Sequence, residues 1–399
     1  MSRDEKLLVI NVLANSIPAG GPMSGGDRIW IECAKRWMRD QTVEVRVLTT
    51  FEGVERGHDY GLTSIPYIIW SRSGSKGSNV YMLYFMRALQ GIVSSLRYPN
   101  SSERNVVIYS SSDFIPDSIP ALIMKLRFKN AKWIAGFYLF VAKPLSKESP
   151  YKGRLFFRSL FYYLSQMPIY WLIQKRADMV WVTNDLDRYK FINGSRLTAD
   201  QVVAVRGGVD TKTPASIPEP DEKRYDAVFI GRFHPQKGVL ELIDIWRFVC
   251  DKRKDAQLAM IGTGELEAEV KAKILKCGLE KNVTLLGFKD GLEKLKIFKN
   301  SKIVVHPATY DSGGMASAEA MACGIPGVSF DLPALKTYYP SGMLKSPCYD
   351  LQGFAENIIK LLEDQNLYTS TQREALKLAE RWDWDIRAQE LLEVIKKCF

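Results

Sequence analysis

Short apolar runs alternate along the chain with longer segments whose apolar residues recur at three- and four-residue steps. The strand-like runs form two sets, residues 7–14, 43–50, 106–112, 132–140, 179–184 and 201–208, and then residues 225–232, 256–264, 282–288, 302–309 and 325–331. The segments between them, such as GVLELIDIWRFVCDK and GLEKLKIFKNS, have the helical period. Strands that alternate with helices form βαβ units around a buried parallel sheet, so the pattern predicts an α/β fold.

The stretch between the two sets predicts a domain boundary. TKTPASIPEPDEKR is rich in proline and charge and has no apolar period. A chain of 399 residues is long enough for two domains of ordinary size. We predict a Rossmann-like domain over residues 1–210, a linker over 211–224 and a second Rossmann-like domain over 225–380. A C-terminal helix over 381–399 is expected to pack back on the first domain.

The positive charge of the chain is unevenly distributed. The net charge is +10, and residues 1–210 contain 28 Lys and Arg against 18 Asp and Glu, whereas residues 211–399 contain 27 of each. A positive first part can attract phosphates, an anionic membrane surface or RNA. The alternative is a basic surface that has no special partner. The sequence has no RNA-binding aromatic signature and no Cys/His finger, so we predict no nucleic-acid partner.

The cysteine pattern and the hydropathy of the chain indicate in which cellular compartment the protein is expected. The six cysteines form no Cys-x-x-Cys pair and no disulfide-like spacing, which favours buried thiols in a reducing compartment. The first residues turn polar too soon for a signal peptide, and we expect a cytoplasmic protein. Residues 152–178 have an uncharged core between basic ends that is too short for a span. They either lie on a membrane surface or form a buried pair of connecting helices.

Parallel sheets bind ligands at the carboxyl ends of their strands. In this chain a glycine-rich loop follows the first predicted strand. Gly25 and Gly26 lie in this loop just before a helix. Glycine lets backbone N–H groups approach a phosphate closely, and a helix N-terminus adds positive partial charge. The alternative is a flexible loop that needs glycine only for turning.

In the second domain, two cations follow the first strand in GRFHPQKG. Arg232 lies at the strand tip and Lys237 just before the next helix. A guanidinium and an ammonium on one short loop suit the oxygens of a diphosphate, although both are also compatible with a solvated surface. The following IGTGELE lacks the third glycine of a dinucleotide fingerprint, since that position is Glu267. The NAD(P) fingerprint therefore fails.

Two acids flank the small residues of DSGGMASAEAMACGIP. The pattern opens a helix near residue 315, which places Asp311 in the preceding loop and Glu319 about one turn inside. Carboxylates accept paired O–H bonds from sugar hydroxyls, and Gly314 and Ala316 leave backbone N–H groups uncovered. The alternative is a helix with two solvated acids that packs closely on the sheet.

A metal site is not expected at these acids. No third acid or histidine lies at ligand spacing apart from His306, which ends a strand. We predict neither a metal ion nor another cofactor.

These motifs are similar to those of a known family. GRFHPQKG, IGTGELE, LLGF and DSGGMASAEAMACGIP, with RGGVD before the linker, resemble in order and spacing the retaining glycosyltransferases of family 4, the group 1 type with GT-B architecture. The resemblance covers most of the chain and is strong over residues 200–330 and weaker over residues 1–200. It implies two Rossmann-like domains whose parallel sheets face each other across a cleft.

The resemblance also implies an activity, which is transfer of a hexosyl-type sugar from a nucleoside-diphosphate sugar held mainly by the second domain. The acceptor would be a glycan, a lipid-linked molecule or another compound bound mainly by the first domain, in cell-envelope polysaccharide or glycolipid synthesis. Family members with such acceptors associate with the inner leaflet of the membrane through a basic first domain. The charge asymmetry of this chain agrees with peripheral association.

Carried over by position, the resemblance assigns roles in the second domain. Arg232 and Lys237 would hold the diphosphate and, because the departing diphosphate itself can take the acceptor proton, would dominate the rate. Glu319 would bind the ribose hydroxyls. Asp311 stands at the position where the family usually has a Glu that touches the transferred sugar. Because Asp is shorter, the identity of the donor sugar stays open. The residues implied to supply backbone contacts are Gly314, Met315 and Ala316.

In the first domain, Gly25 and Gly26 would match the family's Gly-Gly loop that faces the phosphates. Many members have a histidine at the end of a first-domain strand, where this chain has Tyr138. Asp113 is a candidate for acceptor contact, with a structural role as the alternative. Two other functions stay open, a nucleotide-sugar epimerase of the same fold and a catalytically silent nucleotide-sugar-binding subunit.

Overall fold

The structure is a computed structural model that describes residues 7–13, 23–71, 80–99, 105–146, 149–153, 155–193, 195–336 and 338–399. The chain divides into two compact units. The first unit comprises Met1–Pro144, Arg154–Gly207 and Trp384–Phe399, and the second comprises Leu145–Gly153 and Gly208–Asp383. The long divisions at 207/208 and 383/384 lie within three residues of the predicted boundaries at 210/211 and 380/381. The inclusion of residues 145–153 in the second unit was not predicted.

The first unit contains a seven-stranded parallel sheet in the order β3-β2-β1-β4-β5-β6-β7. Its strands are β1 (Leu7–Leu13), β2 (Val43–Thr50), β3 (Tyr67–Ser71), β4 (Val106–Ser110), β5 (Lys132–Gly136), β6 (Met179–Val182) and β7 (Val202–Ala204). Its helices up to β7 are α1 (Gly25–Trp37), α2 (Phe51–Asp59), α3 (Val80–Arg97), α4 (Ile115–Arg127), α5 (Leu155–Arg176) and α6 (Asp185–Ile192). The sheet is buried because its central strands are apolar on both faces: every residue of β4 and of β6 is buried.

The second unit contains a six-stranded parallel sheet in the order β10-β9-β8-β11-β12-β13. Its strands are β8 (Tyr225–Ile230), β9 (Leu258–Ile261), β10 (Val283–Gly287), β11 (Ser301–His306), β12 (Gly327–Phe330) and β13 (Met343–Ser346). Its helices are α7 (Lys212–Ser216), α8 (Val239–Lys252), α9 (Glu267–Lys276), α10 (Gly291–Lys299), α11 (Met315–Ala322), α12 (Leu351–Glu363) and α13 (Gln365–Glu380). Both sheets have the strand order of doubly wound Rossmann folds.

The last helix, α14 (Trp384–Lys396), belongs to the first unit and packs against α1. The indole Nε1 of Trp37 donates a 2.8 Å hydrogen bond to the carbonyl of Ala388, and Arg36 Nε lies 2.6 Å from a carboxylate oxygen of Asp385. A buried indole needs a partner for its N–H group, so this contact fixes where α14 lies along α1.

The α/β fold is confirmed, and each of the eleven predicted strands overlaps an observed strand. The pattern missed β3 and β13, which are edge strands of the two sheets. The predicted linker contains the short helix α7.

Of the two alternatives for residues 152–178, the buried pair of connecting helices is wrong, because α5 is a single helix of 22 residues. It continues through Pro168, with buried residues Gln166, Ile169 and Ile173 on both sides of the proline. None of the helices within the described residues combines the length and apolar composition that crossing a bilayer requires. All six cysteines are free, but only Cys33 and Cys323 are fully buried, so the prediction of buried thiols holds for two of them.

The loops after β8 and β11 touch at one glycine. Gly238 precedes α8 with a φ of +64°, and a Cβ atom there would lie 1.9 Å from the carbonyl oxygen of Pro307. Only glycine combines this left-handed backbone with so close an approach of another main chain. The contact sets the spacing between the two loops.

We expect Gly238→Ala to lower the free energy of unfolding by at least about 3 kcal/mol, because a left-handed alanine costs about 1–2 kcal/mol and the overlap with Pro307 adds to it. Gly278→Ala is the matched control, since Gly278 has a φ of +67° and a Cβ atom there would meet nothing within 4 Å. The control should lose only about 1–2 kcal/mol. Urea unfolding followed by circular dichroism measures both, and equal losses would contradict the role of the contact.

Candidate functional site

The candidate site of the second unit lies at the carboxyl edge of its sheet, where the strand order reverses between β8 and β11. Ligands of open α/β sheets bind at this position because two loops diverge there. Here the loops are joined by their backbones: the N–H groups of Thr309 and Tyr310 donate to the carbonyl of Gln236 at 3.0 and 3.3 Å. The side chain of Gln236 accepts a 2.9 Å hydrogen bond from the Tyr151 hydroxyl, which attaches residues 145–153 to the same loop.

Lys237 and Asp311 form an ion pair across these loops. The Lys237 Nζ lies 2.6 Å from Asp311 Oδ2, while Asp311 Oδ1 accepts the backbone N–H groups of Ser312 and Gly313 at 2.9 and 3.3 Å. Burial by itself would raise the pKa of Asp311, but the Lys237 ammonium and His306 outweigh it and hold that pKa well below its usual range. The carboxylate is therefore ionised at any physiological pH.

His306, the last residue of β11, connects this pair to the helix that follows. Its Nε2 lies 3.3 Å from Asp311 Oδ2, and its Nδ1 shares a 3.0 Å hydrogen bond with the buried Ser317 hydroxyl of α11. The hydrogen bond at Nδ1 restricts the rotation of the buried ring and keeps Nε2 beside the carboxylate. His306 thus lies against the Asp311 carboxylate, whose hydrogen bonds come from Lys237 and from the backbone of its own loop.

Arg232 lies two residues beyond the end of β8, on the loop that also carries Lys237, and its side chain is exposed. The structure therefore places the two predicted diphosphate-binding cations on one loop. Lys237 is half-buried at the ion pair, whereas Arg232 is exposed.

The helix α11 begins at Met315, with Gly314 as the residue before it. Met315 and Ala316 are its first two residues, and their N–H groups have no carbonyl one turn earlier in the helix to bond. A Cβ atom on Gly314 would lie 2.5 Å from the hydroxyl oxygen of Tyr339, which donates to the Gly314 carbonyl. The packing of a buried tyrosine thus explains this glycine.

Glu319, about one turn inside α11, is bound by the buried lysine Lys294. Lys294 Nζ lies 2.9 Å from Glu319 Oε2 and 2.7 Å from Asp290 Oδ1. Lys294 is buried, and burial alone would lower its pKa, yet the two carboxylates raise it. An ammonium held between two acids stays charged and fixes the Glu319 side chain in place.

The first unit holds the other predicted residues at the carboxyl edge of its own sheet. Gly25 and Gly26 are the first residues of α1, and a Cβ atom on Gly26 would lie 2.8 Å from the ring of Tyr138. Tyr138, two residues after β5, forms a short hydrogen bond with the hydroxyl of Tyr109. Gly26 is therefore required by the packing of Tyr138, whatever else approaches its backbone.

Asp113, three residues beyond β4, is buried and bound from α5. Its Oδ2 accepts hydrogen bonds from Gln166 Nε2 at 2.7 Å and from the Tyr162 hydroxyl at 3.2 Å. Gln166 also donates to the carbonyl of Leu139 and accepts from the backbone N–H group of Val141. Burial, which these hydrogen bonds only partly offset, raises the pKa of Asp113 to about 6.

Four residues of these clusters were absent from the predicted site, namely His306 as a partner of Asp311, Ser317, Lys294 and Gln166. Sequence carried one usable signal for them, an uncharged helix interrupted by Gln166. Lys294 lies in a helix rich in lysines, and nothing in its local pattern marks it as buried.

Comparison with known proteins supports a chemistry for the second unit. The family model "Glycosyl transferases group 1" matches residues 211–378. A poly(glycerol-phosphate) alpha-glucosyltransferase of Bacillus subtilis is 25% identical over 192 residues, covering 45% of this chain and 28% of that protein. A GDP-mannose-dependent monoacylated alpha-(1-6)-phosphatidylinositol monomannoside mannosyltransferase of Corynebacterium glutamicum is 28% identical over 241 residues, covering 53% and 59%. The matched part of the chain thus spans less than two thirds of each relative.

Solved structures resemble the whole chain at low identity. A mutant of S. aureus TarM in complex with fondaparinux, alpha-GlcNAc-glycerol and UDP has a TM-score of 0.72 and 11% identity, covering 97% of this chain and 99% of that one. Anabaena Alr3699/HepE in complex with UDP and glucose has a TM-score of 0.69 and 17% identity, with the same coverage. At such identities the likeness shows the fold alone, which is that of GT-B glycosyltransferases with two Rossmann-like domains.

The comparisons do not favour the epimerase or the silent binding subunit. They agree with the group of motifs over residues 200–330 on which the resemblance was strongest. The family model and the named relatives together support a transferase, with a group 1 glycosyltransferase domain at residues 211–378.

Proposed function

We propose that the chain is a retaining glycosyltransferase of family 4 type that transfers a sugar from a nucleoside diphosphate to a glycan, lipid-linked or other acceptor. The observation that carries the proposal is the pair Lys237 and Asp311, held across the two loops of the strand-order switch within the matched domain. The complexes of the solved neighbours with UDP, and with UDP and glucose, support a nucleotide sugar as donor.

The proposed task of the cations is to stabilise the departing diphosphate. Lys237 has three N–H donors and gives one to Asp311, so two can face phosphate oxygens, and Arg232 on the same loop adds a planar fork. The diphosphate takes the acceptor proton as it leaves, so the reaction needs charge stabilisation more than a protein base. No metal ion and no other cofactor takes part in this proposal.

The two acids would bind hydroxyls of the donor. Glu319 has one oxygen bonded to Lys294, and the other, Oε1, is assigned to the ribose hydroxyls. Asp311 uses Oδ2 for Lys237 and Oδ1 for two backbone N–H groups, so its lone pairs toward a sugar are few. Any contact of Asp311 with the transferred sugar would therefore be weaker than its hold on Lys237. The backbone N–H groups of Gly314, Met315 and Ala316 complete the proposed donor contacts of the second unit. For Gly25 and Gly26 of the first unit, contact with the donor phosphates stays a prediction from the resemblance.

We assign contacts with the acceptor to Asp113 and Tyr138. Relatives named for poly(glycerol-phosphate) and for a phosphatidylinositol mannoside support a polymer or lipid-linked acceptor in envelope synthesis. We place the enzyme in the cytoplasm and peripherally on the inner face of the membrane, through its basic first domain.

Removal of Lys237 or of Glu319 should cut turnover. We expect Lys237→Ala and Glu319→Ala each to lower kcat/KM at least about a hundredfold, since both remove contacts that hold or neutralise the donor. Lys271→Ala and Glu267→Ala are the matched controls, because these residues form an exposed ion pair on α9. Release of nucleoside diphosphate measures the rates. Unchanged rates in both site variants would refute the assignment.

Donor binding can be tested without an acceptor. A ligand that binds only the folded chain stabilises it by about 2.7 kcal/mol at a concentration a hundredfold above its Kd. UDP, GDP and ADP sugars compared by thermal shift should include one that raises Tm, with the effect lost in Lys237→Ala. If no nucleotide raised Tm, the donor class would be wrong.

Asp113→Asn tests whether the buried Asp113 carboxylate destabilises the folded chain at high pH. The pKa of Asp113 is about 6 in the folded chain against 3.8 for an unperturbed carboxyl, so its stabilising contribution is present below about pH 4 and lost as pH rises through 6. The variant should therefore be more stable than wild type at pH 8, by about 1–3 kcal/mol, and no more stable at pH 4. Urea unfolding measures this, with exposed Asp59→Asn as control. Equal stability of Asp113→Asn and wild type at both pH values would contradict a buried, destabilising carboxylate.

A further inference from the structure

The helix α3 exposes apolar side chains where a helix on a protein surface is normally polar. Eight positions between residues 81 and 97 are exposed, and seven of them carry Tyr, Met, Phe, Leu or Val. Six of these lie three or four residues apart on one side of the helix, at Met82, Phe85, Met86, Leu89, Val93 and Leu96. A continuous apolar stripe on an exposed helix face marks an interaction surface.

The helix α5 carries a second exposed stripe of the same kind. Its members lie at positions i, i+4, i+7, i+11 and i+14, at Phe157, Phe161, Leu164, Pro168 and Trp171. Phe157 is 72% exposed and Trp171 58%. The buried side of α5, with Ile169 and Ile173, packs on the core of the first unit, so these side chains cannot belong to that core.

The two stripes are continuous at their N-terminal ends. The ring of Phe161 lies 4.8 Å from that of Tyr81 and 5.7 Å from that of Tyr84. Both helices also pack against α4, whose Leu126 is 66% exposed. We call the eleven stripe residues of α3 and α5 together the apolar face.

The exposed charges on these three helices are all positive. Neither α3 nor α5 contains an acidic residue, and the one acid of α4, Asp117, is fully buried. Exposed cations border the face at Arg97, Arg158, Lys175 and Arg176. An anionic surface would therefore meet no repulsion from these three helices.

We propose that the apolar face docks on an anionic lipid bilayer, with its apolar side chains in the interface and its cations among the headgroups. A bilayer offers hydrocarbon and phosphate side by side, which matches the two components of the surface. A second copy of the chain fits less well, since a two-fold contact through this face would bring positive charges together. The proposal deepens the proposed peripheral association by naming its residues, and it rests on no step of the transfer reaction.

The first test is binding of the full chain to vesicles. Each cation near an anionic surface contributes about fivefold to binding, so we expect binding at least about a hundredfold tighter to phosphatidylcholine vesicles that contain phosphatidylglycerol than to phosphatidylcholine alone. Raising the salt concentration should release the protein, since screening weakens this attraction. Equal binding to both vesicles, or none to either, would overturn the proposal.

Variants test the face itself. Phe85→Gln with Leu89→Gln on α3, and Phe157→Gln with Leu164→Gln on α5, should each weaken binding to the anionic vesicles at least about tenfold, because they remove apolar area from the interface. The matched control is Leu275→Gln with Leu292→Gln, two exposed leucines of the second unit. All these positions are exposed, so Tm should be unchanged. Binding lost equally in the control would overturn the assignment to the apolar face.

The fluorescence of Trp171 reports which surface of the chain faces the bilayer. Of the nine tryptophans, all within the described residues, it is the exposed one. Brominated lipids should quench part of the tryptophan emission, and that part should vanish in Trp171→Phe. Quenching that persists in full would place another surface on the bilayer.

Ultracentrifugation tests the competing partner. A dimer that the apolar-face variants abolish, with no vesicle binding by wild type, would assign the face to a second copy and overturn the proposal. Thermal shift with nucleotide sugars should be the same in these variants and in wild type. Loss of docking and failure of the proposed transferase activity are thus measured separately.

Discussion

The second unit depends on the close approach of two loops at the point where its strand order reverses. Gly238 lets the loop after β8 lie against the carbonyl of Pro307, and the backbone of Gln236 then accepts two N–H groups from the loop after β11. This approach brings Lys237 within 2.6 Å of Asp311. A larger residue at position 238 would separate the loops and with them the two charges.

At the candidate site of this unit, lysines and acids are bound to one another. Lys237 lies on Asp311, and Lys294 lies between Asp290 and Glu319. A partly buried charge without a partner is costly, so these contacts hold the side chains in fixed positions before any ligand binds. The shorter side chain of Asp311 is consistent with this arrangement, since its oxygens are taken up by Lys237 and by the backbone of its own loop.

In the first unit, a neutral side chain holds the candidate site residues in fixed positions. Gln166, in the middle of α5, binds Asp113, the carbonyl of Leu139 and the N–H group of Val141. One buried amide thereby joins the loops after β4 and β5 and places Tyr138 beside Gly26. The same helix exposes an apolar stripe on its opposite side, so α5 links the candidate acceptor residues to the proposed membrane surface.

The sequence by itself determined the α/β fold, eleven of the strands and the position of the candidate donor residues, because apolar period and strand-end loops are local patterns. It also placed Asp311 in a loop and Glu319 inside a helix that begins near residue 315. It could not show that Lys294 is buried against Glu319 or that His306 contacts Asp311, because the fold alone decides which side chains meet. Nor could it show which side of α3 and α5 is covered. Helical period reveals that apolar residues share a face, but only the packing of neighbouring elements decides whether that face is in the core or in contact with the surroundings.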